Sequence, residues 1–163
     1  MTTGSALLLT ALLASCGVAA DPAVSSLPDE LSDWPEVTVT VETGDRSHEV
    51  SAAVAATPER RQRGLQGVSS LADGAGMLFV FPEDTTGAFW MRDTEIPLEI
   101  AFAAADGGIV GIRSMEPCEA DPCPRYAPDA PYRVALEVPD GWLAERDVGI
   151  GDRLVWPDLP ADG

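Results

Sequence analysis

The stretch Gly76-Met77-Leu78-Phe79-Val80-Phe81-Pro82 decides the fold class. Its unbroken apolar run ends at a Pro, which has no N–H for a sheet ladder, so it predicts a central strand. Strand patterns continue on both sides of it. Upstream, Val37-Thr38-Val39-Thr40-Val41 alternates strictly, as a half-buried strand does. Gly44-Asp45 supplies a turn, and residues 48–56 read as the hairpin partner. Thr57-Pro58-Glu59-Arg60 has the signature of a helix start: Thr at the N-cap, Pro at the first helical position, an acid in the first turn. Gly64 and Gly67 keep that helix short. Downstream, residues 88–91 read as a strand, and residues 98–104 and 109–115 as a hairpin around Asp106-Gly107-Gly108. Residues 132–138 form another strand, Asp140 is placed to cap a short helix through Arg146, and residues 153–156 form a last strand. Runs of strands with two short helices predict an α+β domain, mainly antiparallel, with its sheet bent toward a small barrel.

The chain of 163 residues and 17.1 kDa is the size of one domain. Its charge is −17, and all ten cations are Arg. A surface that acidic repels phosphate backbones, so nucleic acid is excluded as a partner class. Residues 1–15 carry no charged side chain, and the apolar run of residues 6–13 is interrupted only by Thr10. The run is too short for a bilayer, which needs about 20 residues, and suits the apolar region of a signal peptide.

The run ends Leu13-Ala14-Ser15-Cys16, which resembles the lipobox of bacterial lipoproteins. The resemblance implies cleavage before Cys16 and lipidation of its thiol. The protein would then be exported and anchored to the outer face of the cell membrane through that lipid. One feature departs from the pattern: no basic residue precedes the apolar run. The alternative is an ordinary signal cut near Ala20. Residues 16–35, rich in Ala, Ser, Asp and Pro, read as a flexible tether. Residues 36–157 form the globular domain and residues 158–163 a tail. Lipidation of Cys16 leaves Cys118 and Cys123 as a pair, in a loop of residues 116–131 with five Pro. In an oxidising compartment they read as a disulfide. A metal site or redox dithiol is the rival, but no second Cys or His pair lies nearby and the spacing is not Cys-x-x-Cys.

The order of motifs carries a second resemblance. Thr57-Pro58-Glu59-Arg60 precedes Gly64-Leu65, then Gly76-Met77-Leu78-Phe79-Val80-Phe81. Next comes Phe89-Trp90-Met91-Arg92-Asp93-Thr94-Glu95-Ile96-Pro97-Leu98, followed by Met115-Glu116-Pro117, Ala135-Leu136-Glu137-Val138 and Gly141-Trp142. The chain resembles the family called domain of unknown function 192, small prokaryotic proteins that are often exported, over about residues 37–155. Arg92-Asp93 stands where the family usually has Lys-Asn, Glu99 where it has Asp, and Gln66 where Met is common. The resemblance implies a fold and a location, not an activity.

The block 89–98 is the best candidate site, a strand running into a loop where aromatic and charged groups can line a cleft. The candidate ligand-binding residues are Trp90, Arg92, Asp93, Thr94, Glu59 and Arg60. The plainer account has Phe89 and Met91 in the core, with Arg92 and Asp93 a solvated pair. Glu59 has its own plain account, as an acid at the positive end of a helix dipole. The expected partner is an unknown small ligand or an envelope protein, with no cofactor and no metal. Two other readings remain. Glu99, Glu116, Glu137 and Asp152 are acids from which a two-carboxylate hydrolase could draw a pair. Met77, Met91, Met115, His48 and Trp90 are soft or aromatic groups that a Cu(I) carrier could use. No nucleophile elbow, phosphate loop or Ser/His/Asp-like set is present, so an enzyme has less support than a binding protein.

Overall fold

The computed structural model describes Met1 and residues 27–159. The signal segment, Cys16 and the first part of the tether lie outside the described residues, as does the end of the tail. The strands are β1 (Glu36–Thr43), β2 (Arg46–Ala55), β3 (Ala75–Thr85), β4 (Leu98–Ala103), β5 (Ile109–Met115), β6 (Tyr132–Pro139) and β7 (Arg153–Val155). The one α-helix among the described residues, α1, is Pro58–Arg63, and short 3-10 turns occupy Asp29–Leu31 and Ala144–Arg146. The strands form a single sheet in the order β5-β4-β6-β3-β2-β1-β7.

Every pairing is antiparallel except β2 with β3, where Ala53 lies opposite Met77 and Ala55 opposite Phe79. The sheet is therefore mixed. Residues 56–74 carry the chain over the sheet and return it to the same end, a crossover long enough for parallel strands.

The expected barrel does not form. The edge strands β5 and β7 share no ladder, and they approach only at one corner, where Gly108 bridges Arg153. There Leu154 N–H donates to the Gly107 carbonyl at 2.8 Å. Gly107 has φ +90°, and a Cβ on it would run into the Leu154 carbonyl, so that corner needs glycine.

Each face of the sheet carries its own core. Met77, Phe79, Leu98, Ile100, Phe102 and Met115 belong to one cluster, and Leu78, Leu136, Val138, Val41, Trp142 and Leu154 to the other. Burial on both faces is why the run from Met77 to Phe81 is continuously apolar rather than alternating. Leu31 and Trp34, in the stretch read as tether, are 1% and 9% exposed and join the first cluster.

Two local expectations are corrected. Residues 88–91 do not form a ladder strand; they make single bridges, Phe89 with Tyr126 and Arg92 with Cys118. Asp93, at φ 56°, turns the chain immediately afterwards, which leaves no length for a ladder. Asp140 caps no helix. Instead the Glu99 carboxylate, distant in sequence, accepts from Leu143 N–H at 2.7 Å at the start of the 3-10 turn.

Candidate functional site

The helix that forms one wall of the site is built as its sequence requires. Thr57 Oγ1 accepts from Arg60 N–H at 3.2 Å, Pro58 opens the helix and Gly64 closes it at φ 50°. Arg61 pins the helix to the sheet. Its guanidinium donates to the carbonyls of Ala56 and Val80 and lies 5.1 Å from the centre of the Phe81 ring. Glu59, Gln62 and Arg63, at spacing i, i+3, i+4, are left on one face, and Gln66, in the turn after Gly64, lines the same groove.

The opposite wall is the segment 88–94. Phe89 exchanges both backbone hydrogen bonds with Tyr126, at 2.8 and 2.9 Å, and Cys118 N–H donates to the Met91 carbonyl at 3.3 Å. Both partners lie on the loop of residues 116–131, which the Cys118–Cys123 disulfide, with Cα atoms 5.6 Å apart, staples near its start. The stapled loop thus fixes alternate side chains on opposite sides. Phe89 and Met91 turn inward, with Phe89 4.9 Å from Phe79 and 5.7 Å from Phe102 between ring centres. Trp90 and Arg92 turn outward. The loop also holds them. Asp121 is ion-paired with Arg92, and the guanidinium carbons of Arg92 and Arg125 lie 5.0 and 4.6 Å from the Trp90 ring centre. Cations at that distance from an indole are attracted by its quadrupole.

Between these walls runs a groove of about 470 Å³, lined by Glu59, Gln62, Arg63, Gln66, Trp90, Arg92 and Asp93. Of the residues singled out in the sequence, Trp90, Arg92, Asp93 and Glu59 meet there. Thr94 lies below them, 8% exposed. Arg60 does not take part. Its guanidinium lies 5.6 Å from the Trp34 ring, in a neighbouring hollow. Gln62 and Gln66 were not among the candidates; the helical spacing of Gln62 from Glu59 was there to read, whereas Gln66 lies in the turn after Gly64 and carries no such signal. Arg125 and Asp121, brought in by the disulfide loop, have no comparable signal.

Below the groove is a much smaller cavity, about 30 Å³, that shares Gln62, Arg63, Gln66 and Trp90 with it as walls. Glu137 of β6 and Thr94 line it, with Phe79 and Phe89. Glu137 is 5% exposed, and burial pushes its carboxyl up to about 8. The other acids considered for hydrolysis do not share this cavity. Glu99 faces the opposite side of the sheet, Asp152 accepts from Gly149 N–H at 2.7 Å, and Glu116 is exposed. The copper set is also divided. Met77, Met91 and Met115 are buried in one core cluster, whereas His48 stacks edge-on against Trp142 of the other, 6.2 Å away. Among the described residues no three His, Cys, Asp or Glu side chains converge on a metal position.

The DUF192 family, described as an uncharacterised group, matches residues 39–156. The chain belongs to that family. The match spans every strand of the sheet at least in part, together with both walls of the groove. A crystal structure of a protein of unknown function from Novosphingobium aromaticivorans is 27% identical with a TM-score of 0.74, covering 82% of this chain and 94% of that one. Another, from Sinorhizobium meliloti and described as a candidate transcription regulator, is 30% identical with a TM-score of 0.69, covering 76% of this chain and 95% of that one. No curated protein is significantly similar to the chain.

Proposed function

We propose that this DUF192 domain is an exported, lipid-anchored binding module that takes a small polar molecule in the groove between α1 and the Trp90 segment. The observation that carries the reading is the Trp90 indole, held by Arg92 and Arg125 beside the amides of Gln62 and Gln66 and the carboxylates of Glu59 and Asp93. An aromatic surface with a few convergent polar groups is what a small-ligand site requires. The wall is held by a disulfide, which suits a compartment outside the cytoplasm, in line with the lipobox-like Leu13-Ala14-Ser15-Cys16. The regulator description of the Sinorhizobium structure does not transfer easily: a net charge of −17 opposes contact with a phosphate backbone. An envelope protein docking over the same groove is the alternative occupant. The carboxylate hydrolase and the Cu(I) carrier have less support, because neither residue set is brought together.

The test is a thermal-shift panel of sugars, short peptides and cell-wall fragments on the full chain, alongside Trp90→Ala and Gln66→Ala. A ligand that stabilises the wild type and loses its effect in both variants supports the reading. A panel without any response, in a protein that still captures an envelope protein, replaces it with the protein-docking one. Mass spectrometry of the mature N-terminus tests the anchor: a diacyl or triacyl Cys16 is expected, and an unmodified terminus beyond Ala20 would contradict it.

A further inference from the structure

Glu137 has a carboxyl with no hydrogen bond or ion pair among the described residues, yet it lines a cavity rather than packing against hydrocarbon alone. Buried carboxyls ordinarily have partners, and this one faces a space rather than a protein donor. Every nearby cation is committed elsewhere. From α1, Arg61 reaches the Ala56 and Val80 carbonyls, and Arg63 donates to the Glu30 carbonyl at 3.2 Å while lying 5.5 Å from the Trp34 ring. Arg92, on the Trp90 segment, is paired with Asp121. From β4, Glu99 faces the other side of the sheet, and Tyr132 of β6 donates its hydroxyl to the Gly87 carbonyl at 2.8 Å. No titratable side chain of β3 lines the cavity, which receives only Phe79 from that strand. Arg61 and Arg63 also border the cavity, with Gln62 and Gln66, but their guanidinium bonds to backbone carbonyls draw both cations away from Glu137; the rest of the wall is the rings of Phe79, Phe89 and Trp90 and the Thr94 hydroxyl, which has no hydrogen-bond partner among the described residues. A space of about 30 Å³ admits one group the size of a water molecule.

We propose that this cavity receives the ammonium end of an amine-bearing small molecule, which enters between Gln62 and Trp90 and is held by the Glu137 carboxylate and the Thr94 hydroxyl, beside Phe79 and Phe89. The inference rests on the reading of the groove as a binding site and names the class of ligand: a primary amine whose polar remainder lies in the groove. The proton balance is simple. At neutral pH the carboxyl carries a proton; as R–NH₃⁺ enters, Glu137 ionises and that proton passes to solvent, so the bound pair is carboxylate and ammonium. The protein's strong negative charge raises the local concentration of such cations.

The test uses the full chain and n-butylammonium chloride, with n-butanol as the neutral analogue at matched ionic strength. The Trp90 indole N–H signal is followed by NMR, and proton release by pH-stat near pH 6.5. Butylammonium is expected to give saturable shifts with a dissociation constant of about a millimolar, as its few heavy atoms allow. It should release close to one proton. Butanol should give no saturation, and Glu137→Gln should weaken butylammonium by tenfold or more, roughly 1.4 kcal/mol or more. Thr94→Val, which keeps the shape, should weaken it less. Equal binding by the Gln variant, equal binding of butanol, or no binding at all would overturn the proposal and leave the cavity as the seat of a trapped water. The two readings fail separately. Groove ligands that bind through Trp90 without carrying an amine would defeat this inference and spare the groove. Butylammonium binding that survives Glu59→Ala, with no larger ligand found, would spare the cavity and defeat the groove.

Discussion

Glu99 and Glu137 stand on adjacent strands and face opposite sides of the sheet. The register sets Ile100 opposite Glu137 and Val138 opposite Glu99, so each acid's cross-strand partner is an apolar residue on its own face. Glu99 finds the Leu143 amide and becomes part of the structure. Glu137 finds no partner among the described residues and opens onto the cavity below Trp90. Two buried acids in one ladder thus have different roles, and they cannot act as a catalytic pair.

Glu137 should make stability fall with rising pH. Its folded value of about 8 lies above its ordinary 4.5, so the native state holds a proton that the unfolded chain releases. That contribution is fully present below about pH 4.5 and is lost as pH rises through about 8. Glu137→Gln should therefore match the wild type in acid and exceed it in mild base by several kcal/mol, on the order of 4. Urea unfolding of both proteins from pH 4 to 9 checks this, and parallel curves would contradict it.

Glu99 should behave differently. Glu99→Ala leaves the Leu143 N–H without its acceptor and should cost about 1–3 kcal/mol, whereas Glu99→Gln keeps an acceptor and should cost less. Denaturant midpoints at neutral pH distinguish the two, and equal losses would show that the carboxylate's charge, not its acceptor oxygen, is what matters.

Arg61→Ala should loosen α1 without touching the groove's own side chains. It removes the bonds to two carbonyls and the packing on Phe81, a loss of about 2 kcal/mol. Hydrogen exchange should quicken at the Arg60, Arg61 and Gly64 amides, and unchanged protection there would remove the strut from the account.

Reduction of Cys118–Cys123 should cost about 2 kcal/mol for so short a loop. It should also free Asp121 and Arg125 from Arg92 and Trp90, visible as a change in tryptophan emission at temperatures where the fold persists. Unaltered emission after reduction would mean that the loop does not position the indole.

Much of the sheet was legible because its signals are local. The alternation of 37–41, the two-residue turn at Gly44-Asp45 and the apolar run 77–81 each report a single element. The parallel contact of β2 with β3 and the open edges were not, since neighbour choice depends on how residues 56–74 cross the sheet. Residues 88–91 carry a strand pattern, but their partners on the disulfide loop offer only single bridges. Arg60 lies one residue round the helix from Glu59, which turns its guanidinium toward Trp34 rather than into the groove. Glu137 left a trace, an acid in the apolar run Val134-Ala135-Leu136-Glu137-Val138. Whether that acid would meet a partner or a void was decided by Gln62 and Trp90, both far away in sequence.

The most direct test of the central claim is a calorimetric titration of the strongest stabilising compound from the panel into the full chain and into Trp90→Ala, with Gln62→Ala as a gentler change on the facing wall. The account predicts one site per chain, affinity reduced by about tenfold in Gln62→Ala and lost in Trp90→Ala, each variant still cooperatively folded. Unchanged affinity in both folded variants would place the ligand elsewhere and return Trp90 to a packing role.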